Sequence, residues 1–146
     1  MTTPLTSERS ALPTREELSR VVEQALDEAR RQGASSAEAS VTVGSGLSVN
    51  VRRGDVETLE HERDRSLSVA VYVGQRQGTA ASADFSAESL RETVAAACSI
   101  ARYTSEDPAH GIADPARLAT QPPDLDLAHD WSLDADSAID VALTCV

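Results

Sequence analysis

The chain has 146 residues and a formal net charge of -11, enough length for one core without disulfides or a structural metal. All of its basic side chains are arginine, and from Thr104 to Val146 nine acids face the single Arg117, so that this last stretch alone carries -8. One Phe, one Trp and two Tyr leave the core to aliphatic and small residues, and a surface this acidic and poor in aromatics argues against binding nucleic acid.

Residues 1–13 read as a disordered lead-in. They are polar, contain Arg9 and have no apolar segment behind it, so no secretory signal is expected. Thr14-Arg15-Glu16-Glu17 then has the form of a capping box. Leu18, Val21, Val22, Ala25, Leu26 and Ala29 follow at steps of three and four, which predicts an amphipathic helix ended by Gly33.

From Ala37 to Ala83 the hydrophobic period falls to two. Val41/Val43, Leu47/Val49/Val51 and Leu67/Val69/Val71/Val73 alternate with small or polar residues, as half-buried strands do. Breaks are expected at Gly44-Ser45-Gly46, Arg53-Gly54-Asp55 and Val73-Gly74-Gln75. Connections so short join only antiparallel neighbours, which predicts a meander of four or five strands.

Ser86 is placed to cap a second helix, with Glu88 and Glu92 near its positive end. Leu90, Val94, Ala97, Cys98 and Ala101 form its buried stripe, and Cys98 is read there as a reduced core thiol. Cys145 is far away, and neither cysteine has a CxxC partner or a histidine at ligand spacing.

Residues 104–131 hold four of the six prolines and much of the acid, and read as an extended connector over a surface. A third helix is expected over 132–146, capped by Ser132, with Ala135, Ala138, Ile139, Ala142, Leu143 and Val146 on its apolar face. That pattern stops at Val146 without a cap, as in a truncated helix, and its apolar face is expected to need a partner. The fold class is therefore α+β: helix first, an antiparallel meander carrying helices over 14–103, an acidic connector, and a cut helix. No apolar run is long enough to span a membrane, and a cytoplasmic location without membrane contact is the expectation.

Candidate chemical motifs fail on spacing. His61-Glu62-Arg63-Asp64 opens like H-E-x-x-H, but Arg65 and Ser66 stand where a second histidine is needed. His110 and His129 lie singly in the connector. Gly44-Ser45-Gly46 has Val49 in place of the third glycine of a dinucleotide fingerprint, and Ser48 has Asn50 in place of the second glycine of a nucleophile elbow. Arg53-Gly54-Asp55 is read as a β-turn rather than an adhesion signal. Asp124/Asp126 and Asp134/Asp136 lack the glycine and terminal glutamate of a calcium loop. No catalytic, metal or cofactor-binding residue is assigned.

Several stretches resemble the N-terminal domain of the TldD/PmbA family, its PmbA branch in particular. They are Gly44-Ser45-Gly46-Leu47-Ser48-Val49, Arg53-Gly54-Asp55-Val56-Glu57-Thr58-Leu59-Glu60, Val71 to Ala80 (VYVGQRQGTA) and Ala101 to Pro108 (ARYTSEDP). Gly111 to Asp114 and Pro123 to Leu127 continue the likeness, which covers about residues 15–146. The resemblance implies a second, larger domain and assembly with a TldD-like or identical sister subunit. It also implies a zinc metallopeptidase complex acting on unfolded or leader peptides, with metal held by a His-Glu-x-x-x-His helix and a further cysteine. This chain has no such motif, so it is expected to hold no cofactor itself, the zinc belonging to the complete complex.

On that basis the expected function is a non-catalytic N-terminal domain of a PmbA-like subunit, serving substrate enclosure and assembly. Two roles for the sheet stay open: an exposed strand edge guiding an extended peptide, or packing on the second domain and the sister subunit. The rival reading is an autonomous interaction module, or a gyrase-linked regulator, without peptidase activity.

Overall fold

Thr14 closes the first turn of helix α1, Arg15–Arg31, as a reciprocal capping box. Its hydroxyl accepts from the Glu17 amide at 3.2 Å, and the Glu17 carboxylate accepts from the Thr14 amide at 2.7 Å. At the other end Gly33 takes φ +88, and the amides of Gly33 and Ala34 return to the carbonyls of Arg30 and Ala29. This is a Schellman closure, and the residue without a Cβ stands where the left-handed turn requires it. The computed structural model describes residues 12–145 apart from 122, 128, 130 and 132, so most of the expected lead-in lies outside the described residues.

Three antiparallel strands follow in the order β1-β2-β3: β1 Ser36–Arg52, β2 Asp55–Val73 and β3 Arg76–Ser82. The meander is as expected, but it has three strands rather than four or five. Gly44-Ser45-Gly46 does not break β1, because the ladder continues through Gly44↔Asp64, Ser45↔Arg63 and Gly46↔Glu62. The segment after Gly54 is likewise one strand with Leu67 to Val73. Its period of two persists there in charge instead of hydrophobicity, with Glu60, Glu62 and Asp64 on one face and His61, Arg63 and Arg65 on the other. Arg53 and Gly54, at φ +55 and +82, make the two-residue turn between β1 and β2, both residues left-handed as a type I′ turn demands. One irregularity, between Asn50 and Val51, adds the extra residue on the β2 side.

Helix α2, Ala87–Tyr103, is capped by Ser86, whose hydroxyl accepts from the Ser89 amide at 3.3 Å. α1 lies over β1 and α2 over β3 and β2, and the two helices touch each other on the same side of the sheet. Between the layers Leu67, Val69, Val71, Val94, Cys98, Ala97, Ala101, Ala25 and Ala29 are sealed from water. Each fully buried Leu or Val contributes about 1.5–3 kcal/mol. The closeness of α2 to β3 depends on Gly78, above which the Ala97 carbonyl and the Ala101 amide occupy the space of any Cβ.

Among its described residues the connector after α2 carries a turn over Asp107–His110 and a 3-10 turn, Pro115–Arg117. It is pinned near its start. The Asp107 amide donates to the Gln75 carbonyl at 3.0 Å, Arg76 pairs with Glu106 at 3.2 Å, and Arg102 donates to the Gln32 carbonyl at 2.9 Å.

Helix α3 spans Ala135–Leu143, shorter than the expected 132–146. Asp134 is the cap, its carboxylate accepting from the Ser137 amide at 2.8 Å; Ser132 and Val146 lie outside the described residues. Against the expectation that its apolar face is left open, α3 packs on β1 and, to a smaller extent, on β2. Ala138 is buried and Ile139, Ala142 and Leu143 are half-buried. The long β1–β2 pair offers this helix a surface that no sequence-local pattern reveals.

Candidate functional site: the β1–β2 ribbon

The chemistry-bearing residues are scattered. His61 stands exposed on β2 opposite Leu47. His110 sits in the connector with Nε2 3.7 Å from Asp107, and His129 is exposed further along. Cys98 is inside the core, where burial raises its thiol pKa above the ordinary 9.0, while Cys145 is exposed at the end of α3. Among the described residues no three His, Cys, Asp or Glu side chains come together in a geometry that could hold a metal ion.

The paired carboxylates have local duties. Asp124 accepts from the Asp126 amide at 3.0 Å in a turn. Asp134 caps α3, and hydrogen bonds from Ser137 hold its carboxyl below its usual pKa. Asp84 accepts from the amide and hydroxyl of Ser86 at 2.9 and 2.8 Å and is lowered in the same way. Each is a charge-assisted bond at a helix entry or turn. Tyr72 is buried, its hydroxyl accepting from Gln77 at 3.4 Å, and desolvation raises its pKa above 10.0.

What the fold does present is a long ribbon. β3 pairs with β2 only over Leu67 to Val73, so the β1–β2 hairpin beyond Val43 and Arg65 projects as two strands. Along it Leu47, Val56 and Leu59 are exposed, while Val49 and Val51 are half-buried. At its root a cleft of about 280 Å³ is lined by Leu12, Val43, Arg65 and Phe85, with the Arg65 guanidinium 5.6 Å above the Phe85 ring. A shallower groove of about 420 Å³ runs between Leu18 and Val22 of α1 and Val41 of β1. A two-stranded ribbon is marginal in water without a further strand or a covering layer. β1 pairs with β2 alone, so its outer edge has no strand partner among the described residues.

An open strand edge with exposed apolar side chains has the chemistry to hold an extended backbone or another apolar surface. Residues 37–101, which contain all of the sheet but Ser36 and most of α2, match the family model for the PmbA/TldA metallopeptidase domain 1.

The chain belongs to the PmbA/TldD family.

It is 41% identical over 128 residues to the metalloprotease PmbA homolog of Haemophilus influenzae, a match covering 88% of this chain and 28% of that relative. To the metalloprotease PmbA of Escherichia coli it is 45% identical over 106 residues, 73% of this chain and 24% of the other. The chain thus spans about a quarter of the length of the curated relatives it matches. In fold it is similar to a crystal structure from Bacteroides thetaiotaomicron described as a modulator of DNA gyrase. The TM-score is 0.69 at 24% identity, covering 77% of this chain and 25% of that one. TldE from Thermococcus kodakarensis gives a TM-score of 0.60 at 14% identity, covering 70% and 23%.

The zinc chemistry implied by the family's name does not fit the donors described in this chain. Among the described residues His61 and His129 are exposed on separate segments, His110 faces one carboxylate, and the buried Cys98 thiol sits in the core with only the charges of Arg102 and Glu28 acting on it. Among the described residues no helix is long and apolar enough to cross a membrane.

Proposed function

We propose that this chain is a non-catalytic first domain of a PmbA-like subunit in a metallopeptidase assembly, and that it serves to enclose an unfolded or leader peptide and to join subunits. The observation that carries the reading is the projecting β1–β2 ribbon, an arm with exposed Leu47, Val56 and Leu59 inside the segment that matches the family's first domain. An apolar arm of this kind gains by lying against another body, and a wall built from such arms keeps an extended substrate near a metal held elsewhere. Zinc in the complete assembly, the peptide substrate and the sister subunit belong to this proposal. DNA is not among the partners we infer, since Arg52, Arg53, Arg63 and Arg65 are interleaved with five acids in a chain of net charge -11.

The test uses the complete protein with its partner subunit. Changing Leu47, Val56 and Leu59 together to serine is expected to lower hydrolysis of an unfolded peptide while the zinc content of the assembly stays constant. The reading fails if hydrolysis is unchanged, if zinc is lost with the arm, or if this chain by itself retains stoichiometric zinc after dialysis.

A further inference from the structure

We propose that the cleft at the root of the ribbon binds the C-terminal residue of a peptide, with its free carboxylate on Arg65 and its apolar side chain against Leu12, Val43 and Phe85. Naming a peptide rests on the peptidase reading above; the pairing of a carboxylate with an apolar group rests on the cleft alone.

Strand alternation makes this place. Val43 and Arg65 are cross-strand partners, and on their face of the sheet β2 runs from Arg63 and Arg65 into the buried Leu67, Val69 and Val71. Arg65 therefore stands one step outside the core. Asp64 falls between the two arginines, opposite Gly44, and the alternation sends its side chain to the other face. Arg63 and Arg65 thus form a basic wall, both exposed and both lining the cleft, in a chain whose net charge is -11.

Arg65 is held in a way that suits a ligand. Its guanidinium lies 5.6 Å from the centre of the Phe85 ring, a contact that attracts the cation without accepting a hydrogen bond in the manner of a carboxylate. Asp84, the residue before Phe85, also attracts Arg65, but its carboxylate is engaged by the amide and hydroxyl of Ser86 at 2.9 and 2.8 Å. Among the described residues no carboxylate pairs with Arg65 at salt-bridge distance. Arg63 adds positive charge to the same wall.

The ligand class follows from the lining. Leu12, Val43 and Phe85 give the cleft an apolar wall beside the basic one. A phosphate gains nothing from the first wall, and an uncharged apolar molecule gains nothing from the second. A terminal residue uses both, because its planar carboxylate matches the guanidinium fork while its side chain leaves water. The volume of about 280 Å³ is just below the roughly 300–1,000 Å³ of sites that enclose a drug-sized ligand, and suits one residue. The backbone of an internal segment carries no carboxylate, so the cleft selects chain ends.

The experiment uses the full-length protein with its partner subunit and reads binding by titration calorimetry, the probe being confirmed intact afterwards by mass spectrometry. The probe is acetyl-Ala-Ala-Leu, compared with the same tripeptide amidated at its C-terminus. Amidation and Arg65→Gln are each expected to weaken binding by about tenfold or more, the scale of a lost charge-assisted hydrogen bond. Arg65→Lys should recover only part of the loss, because an ammonium cannot meet both carboxylate oxygens as a planar fork does. The proposal is overturned if the amide binds as tightly as the acid or if Arg65→Gln leaves binding unchanged. It is overturned as well if acetate or inorganic phosphate binds as tightly as the tripeptide, since the apolar wall then adds nothing. Binding seen only after residues 1–11 are removed also overturns it, as the result of a cleft filled by the chain's own N-terminal segment. Hydrolysis of a longer unfolded peptide, measured alongside, separates this proposal from the reading it rests on. Retained hydrolysis without tripeptide binding rejects the cleft alone, and tripeptide binding without hydrolysis supports the cleft and rejects the peptidase reading.

Discussion

Gly78 lies directly beneath Ala97: a Cβ built on Gly78 meets the Ala97 carbonyl oxygen and the Ala101 amide, both backbone atoms that cannot swing aside. The α2–β3 contact is therefore made by backbone against backbone, and the small residues Ala97 and Ala101 on the helix serve the same closeness. Gly78→Ala is expected to push α2 off the sheet and to cost about 1–3 kcal/mol, as overpacking of a tight core does. Urea unfolding of the variant checks it, and a midpoint equal to that of the unchanged protein would show that α2 can shift without penalty.

The two cysteines should react at very different rates. Cys98 is 1% exposed, and burial raises its pKa above 9.0, so both access and thiolate fraction are low. A maleimide is expected to label Cys145 in the native protein and to reach Cys98 only after denaturation. The same shift has a pH consequence. The folded state favours the neutral thiol, so its stabilisation is complete below the unfolded value near 9.0 and is lost as pH rises through the higher folded value. Tyr72 adds to this above 10.0. Cys98→Ala should make the alkaline loss of stability less steep.

Acid acts at the helix entries instead. Hydrogen bonds from Thr14 lower the Glu17 pKa, so its contribution is present above the unfolded value near 4.5 and is lost as pH falls through the folded one. Thr14→Ala removes one half of the capping box and is expected to cost about 1 kcal/mol at neutral pH. Fraying of Arg15 to Leu18 is read by hydrogen exchange of their amides, and equal exchange in the variant would mean that the cap contributes nothing.

Arg53 occupies φ +55 at the first position of the β1–β2 turn, a conformation that asparagine or glycine adopts more readily. Arg53→Asn is expected to stabilise the protein by about 0.5–1 kcal/mol by analogy with substitutions that match a native backbone conformation. Gly54→Val should do the opposite, because φ +82 is strained for a branched side chain. Thermal midpoints of the two variants should lie on opposite sides of the parent.

Ala138 is the buried anchor of α3 on β1 and β2, at 8% exposure. Ala138→Glu is expected to release the helix while leaving the α1, α2 and sheet core folded. Loss of amide protection confined to 135–143 is the expected outcome. A global loss of protection would mean that α3 is part of the core.

The local signals were fully legible in the amino-acid sequence. Thr14, Gly33 and Ser86 mark helix ends through bonds made within a few residues, and the stripes Ala25/Ala29 and Leu90/Val94/Ala97/Cys98/Ala101 repeat at the helical period. The mismatch of His61-Glu62-Arg63-Asp64 with a zinc helix was readable for the same reason, since ligand spacing is a local property. Strand number was not. Whether Gly44-Ser45-Gly46 is a turn or a strand depends on Asp64, Arg63 and Glu62 lying across from it, and a hydrogen-bond ladder between residues about twenty apart leaves no mark in the local pattern. Only the tertiary structure decided that α3 lies on the sheet, that Gly78 admits α2, and that among the described residues no further strand pairs with the outer edge of β1. Each of these depends on what stands next to a residue in space, which is set when the chain closes on itself and exchanges backbone entropy for packing.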